Sequence, residues 1–165
     1  MIKPGDTIPD ADLTWLDDAG EVAALSAQSY FAGRRVMLLG MPGPFTPTCS
    51  KNHLPGYLHR HDELRQLVDQ IAVVAVTDAF AMAAWLTTSG ARDQLDFLAD
   101  GNGDFIAAMG LTEDRRADGM GTRSRRFAMM VDDGIVILIH VETDQASTAV
   151  TDADAMIAAL GSLTP

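Results

Sequence analysis

The sequence predicts an α/β fold in which helices cover both faces of a mixed central β-sheet. Between residues 36 and 111, apolar runs of strand length alternate with segments of helical periodicity, an order typical of parallel strands joined by helices. Between residues 127 and 141, two further apolar runs flank a tight turn, which predicts an antiparallel pair. One sheet with both kinds of pairing satisfies these patterns.

The first part of the chain is predicted as loop, strand and interrupted helix. The segment before residue 36 is rich in loop-forming residues, whereas residues 36–41 form an apolar run suited to a central strand covered on both faces. From Pro47 to about Gln70, apolar residues recur at helical spacing. Pro55-Gly56 predicts a kink or a break within this helix.

The middle of the chain repeats the alternation. Residues 71–76 predict a second buried strand, and residues 79–87, rich in Ala, Met and Leu, predict a helix that ends near Gly90. Residues 96–99 predict a third strand, and residues 105–111 predict a short helix after a cluster of turn-forming residues.

The last part is predicted as a hairpin and a closing helix. Residues 127–131 and 135–141 are apolar and partly β-branched, and Asp133-Gly134 between them suits a turn that needs positive φ. Residues 152–160 predict a final helix. The predicted order is therefore β-α-β-α-β-α-β-β-α.

Length and composition predict one domain spanning residues 1–165. A chain of 165 residues with 47% hydrophobic content is sufficient for one well-covered core. Twelve Lys and Arg residues against 23 Asp and Glu residues give a formal net charge of −11. That charge opposes binding to phosphate backbones and anionic membrane surfaces, so we expect neither nucleic acid nor membrane as a partner.

Cysteine content predicts a cytoplasmic location. Residues 1–6 contain no apolar segment typical of a signal peptide, and no run approaches the roughly 20 apolar residues of a bilayer span. The single cysteine, Cys49, cannot close an intrachain disulfide, which fits a reducing compartment.

Cys49 is also the candidate nucleophile. Pro47, which suits the first position of a helix, places Cys49 in the first helical turn after a buried strand. Free N–H groups and the positive end of the helix dipole favour an anion there, so the reactive thiolate should be stabilised. The alternative from composition alone is an inert core residue, because free cysteine is among the most buried residue types.

Attack by a thiolate also needs hydrogen bonds and a fixed cation for the charge that develops on the leaving atom. Thr46 offers a hydroxyl on the same loop, and Pro42 can exclude water from the sulfur. Five of the twelve basic residues lie between positions 115 and 126, and any of them could supply the cation. They are Arg115, Arg116, Arg123, Arg125 and Arg126. Spacing does not select among them, and all five could instead be solvated surface charge.

The segment from residue 40 to residue 56 resembles the active-site motif of the peroxiredoxin family, in its type-five branch that includes the plant type-II enzymes. Pro42, Thr46 and Cys49 match the family pattern Pro-x-x-x-Thr-x-x-Cys in full. Three further stretches resemble that branch in the same order. They are residues 76–85, 97–101 and 119–127.

This resemblance implies a thioredoxin-like fold and a thiol-dependent peroxidase that reduces hydrogen peroxide and organic hydroperoxides. It implies that Cys49 is the peroxidatic cysteine, that Thr46 orients the peroxide, that Pro42 shields the thiolate and that Arg126 is the active-site guanidinium. It also implies a homodimer that pairs through the loop at Phe45 and through residues 80–85. No cofactor and no metal are expected.

Two departures from the family pattern shape the functional expectation. Many relatives carry a second, resolving cysteine, which this chain lacks, so a Cys49 sulfenic acid would be reduced by an external thiol: glutathione with glutaredoxin, thioredoxin or another molecule's Cys49. Pro44 and Thr48 replace smaller residues in the active-site loop and could narrow the entrance to the active site. A peroxide sensor that passes oxidation to a partner protein by mixed disulfide is the alternative.

His53 is open to two interpretations. It could be a surface histidine or a partner of the active-site loop. A metal shared by Cys49 and His53, four residues apart, is a third class of function, which the absence of further ligands in the motif disfavours. Trp85 and the nine methionines could line an entrance for organic hydroperoxides, but filling the core is the commoner role.

Overall fold

The computed structural model describes residues 1–163, so residues 164 and 165 of the predicted domain lie outside the described part. Nine strands are present within it. They are β1 (Asp12–Leu16), β2 (Val22–Ser26), β3 (Arg35–Gly40), β4 (Gln70–Ala75), β5 (Asp96–Ala99), β6 (Thr112–Asp114), β7 (Thr122–Ser124), β8 (Phe127–Asp132) and β9 (Ile135–Val141). Seven of them form one sheet in the order β2-β1-β5-β4-β3-β8-β9, and β6 and β7 form a separate ribbon.

The main sheet is mixed, as predicted. Strands β3, β4 and β5 pair in parallel, whereas β8 pairs antiparallel with both β3 and β9. The β8–β9 turn has φ of 47° at Asp133 and 77° at Gly134, which confirms the predicted positive-φ turn. The three predicted parallel strands and the hairpin are all found.

Helices cover both faces of this sheet. The α-helices are α1 (Ala27–Phe31), α2 (Leu54–His59), α3 (His61–Leu64), α4 (Ala79–Thr88), α5 (Asp104–Ala108) and α6 (Ala153–Gly161). Because side chains alternate along a strand, Met37 and Leu39 of β3 pack into the core under α2, α4 and α6, while Val36 and Leu38 pack into the core under α1 and α5. No helix among residues 1–163 has the length and apolar character needed to cross a membrane.

The segment expected to be loop-rich contains a hairpin and a helix. Strands β1 and β2 pair over five residues, and Leu13 of β1 is fully buried. Only Thr14 and Ala99 pair β1 with β5. Each strand is short and carries polar residues, so its assignment depends on tertiary contacts that the sequence pattern does not contain.

The helix after β3 differs from the prediction at Pro55. A π-helical turn, Cys49–His53, precedes α2, and the N–H of Leu54 donates to the carbonyl of Cys49, five residues earlier. Since Pro55 has no N–H to donate, the helix passes through it only with an altered hydrogen-bond ladder, which the π turn provides. The break comes later, at Arg60, where φ is −99° and ψ is 14°.

Candidate active site

Cys49 lies in the first turn of a helix, as predicted. Pro47 and Thr48 are already helical, and the carbonyl of Thr46 accepts the N–H of Ser50 at 3.0 Å, so the helical turn begins after Thr46. This places Cys49 at the third helical position, where backbone N–H groups have no helical partner upstream. The Cys49 side chain has no exposed surface.

Burial of Cys49 is not burial in hydrocarbon alone, because Arg126 contacts the sulfur. Nη2 of Arg126 lies 3.4 Å from Sγ of Cys49. Arg126 comes directly before β8, the neighbour of β3, and its side chain is 1% exposed. The structure therefore brings together the cysteine and the arginine that the sequence resemblance had selected.

The other four arginines of the cluster have different partners. Arg115 forms an ion pair with Asp118 at 2.8 Å, and Arg116 forms one with Asp114 at 2.9 Å. Arg125 donates to the carbonyl of Glu142 at 3.0 Å.

Arg123 supports the site from outside. It donates to the carbonyls of Met120 at 2.7 Å and Val76 at 3.0 Å, and its Nη1 would lie 3.3 Å from a Cβ placed on Gly43 of the active-site loop. The surface-charge alternative thus fails for Arg126 and Arg123.

The acceptors around Arg126 are almost all neutral. Its Nε and Nη2 donate to the carbonyl of Gln145 at 3.2 and 3.0 Å, and its Nη1 donates to Nδ1 of His53 at 3.1 Å. Within residues 1–163, no carboxylate forms an ion pair with Arg126. A buried cation needs a countercharge, and the one contacting atom that can become an anion is the sulfur of Cys49.

Pro42 and Thr46 lie with Arg126 around one cavity of about 280 Å³. Pro42 is buried, and the Thr46 hydroxyl donates to the carbonyl of Gly43 at 2.9 Å. Because that proton is engaged, the lone pairs of the hydroxyl remain free to accept a hydrogen bond. The remaining lining residues are Pro47, Thr48, Arg115, Asp118, Met120, Gln145 and Ala146. A larger cavity of about 560 Å³ lies between β1 and β5 and contains none of the four predicted site residues.

His53 is fully buried, so its interpretation as a surface histidine is wrong. It faces Arg126 through Nδ1 and the carbonyl of Thr151 through Nε2, at 2.8 Å. Burial lowers the pKa of His53 to about 4. The hydrogen bond to Thr151 acts to raise this pKa, and repulsion by Arg126 lowers it further. His53 is therefore a neutral partner of the active-site arginine.

Three residues of the segment between β9 and α6 complete the site, and sequence reasoning missed them. Oε1 of Gln145 accepts the backbone N–H of Arg126 at 2.9 Å, and the carbonyl of Thr151 accepts the Nε2–H of His53. Glu142 accepts the N–H and the hydroxyl of Thr151, both at 3.0 Å. Burial acts to raise the pKa of Glu142, but the hydrogen bonds from Val150 and Thr151 outweigh it and lower the pKa. No local motif marks these residues, because their partners Arg126 and His53 lie 19 or more residues away in the sequence or are reached through Thr151.

The aromatic residues expected near the site divide into two groups. Trp85 is buried and packs edge-to-face on Phe97 at 5.1 Å, so it fills the core and does not line an entrance. Phe45 and Phe80 are 55% and 61% exposed. Of the methionines, Met120 lines the cavity. Residues 1–163 contain no cluster of three or more His, Cys, Asp or Glu side chains suited to a metal ion.

Comparison with known proteins agrees with this arrangement. The family model described as Redoxin matches residues 3–157. Peroxiredoxin-2B of Arabidopsis thaliana is 39% identical over 160 residues, which cover 96% of this chain and 98% of that protein. The chloroplastic Peroxiredoxin-2E of the same plant is 41% identical over 163 residues, covering 96% of this chain and 69% of that protein.

Solved structures give the same result. The crystal structure of reduced Prx3 in complex with H₂O₂ from Vibrio vulnificus superposes with a TM-score of 0.91 at 42% identity, and the match covers 97% of this chain and 99% of that one. The fold is therefore the thioredoxin-like fold of these proteins. With a matching family model over nearly the whole chain and several relatives near 40% identity, the chain belongs to the redoxin family and, within it, to the peroxiredoxins, which are thiol peroxidases.

Proposed function

We propose that this protein reduces hydrogen peroxide and organic hydroperoxides through a sulfenic acid formed on Cys49. The observation that carries the proposal is the 3.4 Å contact between Arg126 and Cys49 in a site where Arg126 has no carboxylate partner among the described residues. A buried guanidinium whose missing countercharge is the thiolate stabilises the nucleophile before any substrate arrives.

The four residues have separate roles in the proposed reaction. The Cys49 thiolate attacks the terminal oxygen of ROOH, the S–O bond forms as the O–O bond breaks, and the products are Cys49–SOH and RO⁻, which takes a proton from water. Thr46 accepts a hydrogen bond from the peroxide O–H, because its own proton is donated to Gly43. Arg126 stabilises the charge that develops on the departing oxygen, and Pro42 excludes water from the sulfur.

An external thiol completes the proposed cycle, since the sequence contains one cysteine. A first thiol condenses with Cys49–SOH to give a mixed disulfide and water, and a second thiol releases Cys49 as the thiol. Glutathione with glutaredoxin, and thioredoxin, are the proposed donors, and a disulfide between Cys49 residues of two molecules is a further route.

The same single cysteine also supports a second function, that of a peroxide sensor. Without a resolving cysteine, a Cys49 sulfenic acid persists until another protein's thiol captures it. Many turnovers per molecule with a low-molecular-weight thiol or with glutaredoxin favour the enzyme. One oxidation equivalent transferred to a specific protein favours the sensor.

The described surface and the sequence support three further proposals. The exposed rings of Phe45 and Phe80 suit burial in a homodimer, and Phe80→Glu should lower the sedimentation coefficient of such a dimer to that of the monomer. Seven strands in one sheet support a single domain over residues 1–165. A lone cysteine supports a cytoplasmic location.

The experiment that tests the proposed activity compares Cys49→Ser with Lys51→Ala, a matched change at an exposed position of the same π turn. Each protein is given hydrogen peroxide or tert-butyl hydroperoxide, with glutathione plus glutaredoxin or thioredoxin in separate reactions. Turnover should vanish in Cys49→Ser and persist in Lys51→Ala. Residual turnover near that of the unmodified protein in Cys49→Ser would contradict the proposal.

A further inference from the structure

We propose that His53 is a positioning residue, which holds the guanidinium of Arg126 against Cys49 as a neutral imidazole whose tautomer is fixed by the carbonyl of Thr151. This inference rests on the proposed function, because it deepens the role of Arg126. His53 itself contacts neither the sulfur nor the cavity among the bonds and linings of the described residues.

The hydrogen-bond partners of His53 fix its protonation. Nε2 lies 2.8 Å from the Thr151 carbonyl oxygen, which can only accept, so Nε2 carries the proton. Nδ1 then presents a lone pair to Nη1 of Arg126 at 3.1 Å, and the guanidinium can only donate. The opposite tautomer, or a doubly protonated ring, would set an N–H against an N–H.

The Thr151 carbonyl is itself held in place from two directions. The hydroxyl of Tyr57, one turn along the helix from His53, donates to the same oxygen at 2.7 Å. On the other side, Oε1 of Glu142 accepts the N–H groups of Val150 and Thr151 at 2.8 and 3.0 Å. Since both lone pairs of the carbonyl are occupied, His53 has one orientation available.

The guanidinium is consequently held by hydrogen bonds along two edges. Gln145 accepts from Nε and Nη2, His53 accepts from Nη1, and this leaves the second N–H of Nη2 directed at the sulfur. Loss of the His53 acceptor would leave a buried N–H unsatisfied, which is costly, so Arg126 would turn away from Cys49 to recover a partner. A histidine that only fills space between Tyr57 and Arg126 would not have this effect.

Two substitutions separate the hydrogen bonds of His53. Asn places an amide oxygen near the position of Nδ1 and preserves the acceptor for Arg126. Gln places its amide near the position of Nε2 and preserves the contact with Thr151. It removes the acceptor that Nδ1 provides for Arg126. Tyr30→Phe is the matched control, because it deletes the hydrogen bond of another buried tyrosine, to Asp96, without touching His53, Thr151 or Arg126.

The readouts are the pH profile of Cys49 alkylation by iodoacetamide, the rate of Cys49 oxidation by hydrogen peroxide and the melting temperature. We expect His53→Gln to move the alkylation profile to higher pH and to slow oxidation by about tenfold or more. This is less than the roughly 100-fold expected when a charge-stabilising donor itself is lost, because His53 acts through Arg126. His53→Asn should restore both, whereas Tyr30→Phe should lower the melting temperature with the alkylation profile unchanged.

Equal alkylation profiles in His53→Gln and the unmodified protein would overturn the proposal, and so would equal displacement in the Gln and Asn variants. If His53→Gln does not fold, Glu142→Gln carries the test, because it loosens the Thr151 carbonyl from outside the cavity, and an unchanged profile in that variant overturns the proposal. The alkylation profile needs no peroxide turnover, so failure of the proposed peroxidase activity is distinguished from failure of this inference.

Discussion

Gln145 holds Arg126 at both ends, with its side-chain Oε1 on the backbone N–H at 2.9 Å and its own carbonyl on the guanidinium at 3.0 and 3.2 Å. The arginine is thereby fixed along its whole length by one residue of the segment between β9 and α6. This geometry uses the planar fork of a guanidinium, which the ammonium group of lysine cannot reproduce.

Arg126→Lys should therefore slow oxidation of Cys49 by hydrogen peroxide by roughly 100-fold, the scale of losing one preorganised donor. The charge is retained, but the contacts with Gln145, His53 and the sulfur cannot all be made at once. The adjacent Arg125→Lys, at a residue outside the cavity, is the control and should react within about threefold of the unmodified protein. Stopped-flow measurement of the Cys49 oxidation rate compares the two variants. Equal rates would contradict a role for the planar guanidinium of Arg126.

Thr46→Val should lower kcat/KM for hydrogen peroxide by roughly 100-fold, because the isosteric methyl can neither accept from the peroxide nor donate to Gly43. Thr46→Ser retains the hydroxyl and should recover most of the activity. Steady-state assays with a coupled thiol donor measure both. A Val variant as active as the Ser variant would show that this hydroxyl does not touch the peroxide.

Gly40→Ala should destabilise the fold by about 1–3 kcal/mol, as overpacking does. A Cβ at Gly40, the last residue of β3, would overlap the ring of Phe127 on the paired strand β8. Gly161→Ala at the end of α6 is the matched control, because a Cβ there meets nothing within 4 Å, and it should be neutral or stabilising. Urea unfolding curves of the two variants provide the comparison.

Stability should fall with acidification in a window set by His53. Burial lowers the pKa of His53 in the folded protein to about 4, below its ordinary value of 6.5. Between these pH values the unfolded chain binds a proton at His53 that the folded chain does not bind. His53 therefore contributes fully above pH 6.5, and as much as about 3 kcal/mol is lost by pH 4. Glu142, whose pKa is lowered, adds a loss below pH 4.5.

The charged and titratable groups that face His53 are Arg126, Glu142 and Tyr57. Urea unfolding of His53→Asn should show a shallower dependence on pH between 6.5 and 4 than the unmodified protein. His59→Asn changes an exposed histidine of the same helix and should leave the slope unchanged. Equal slopes of the unfolding free energy against pH in all three proteins would show that His53 does not contribute to the loss of stability in acid.

The sequence was most informative where local pattern and structure coincide. The strand at Asp96–Ala99 and the hairpin turn at Asp133-Gly134 were predicted from apolar runs and turn chemistry, and both are found as expected. The hairpin β1–β2 was missed because its short strands acquire their character from packing. A kink or a break was predicted at Pro55-Gly56, whereas the helix is wound into a π turn just before Pro55 and breaks at Arg60.

The site follows the same division. Cys49, Thr46 and Pro42 share one loop, so a motif could identify them, and Arg126 was found only through resemblance to a family. Thr151 acts through its main-chain carbonyl, and Gln145 bonds the guanidinium through its main-chain carbonyl as well, a group that every residue possesses and that no side-chain pattern marks. His53 stood inside the motif, but its burial, and with it its role beside Arg126, depends on the later segment folding over it.

The π turn at Cys49–His53 ties the chemistry of the sulfur to the winding of the helix. Rewinding that turn to α geometry would shift the register by one residue, a rotation of about 100° about the axis, and would carry Cys49 away from Arg126. Because Cys49 has no exposed surface in this winding, a protein thiol can reach an oxidised Cys49 only after the turn moves.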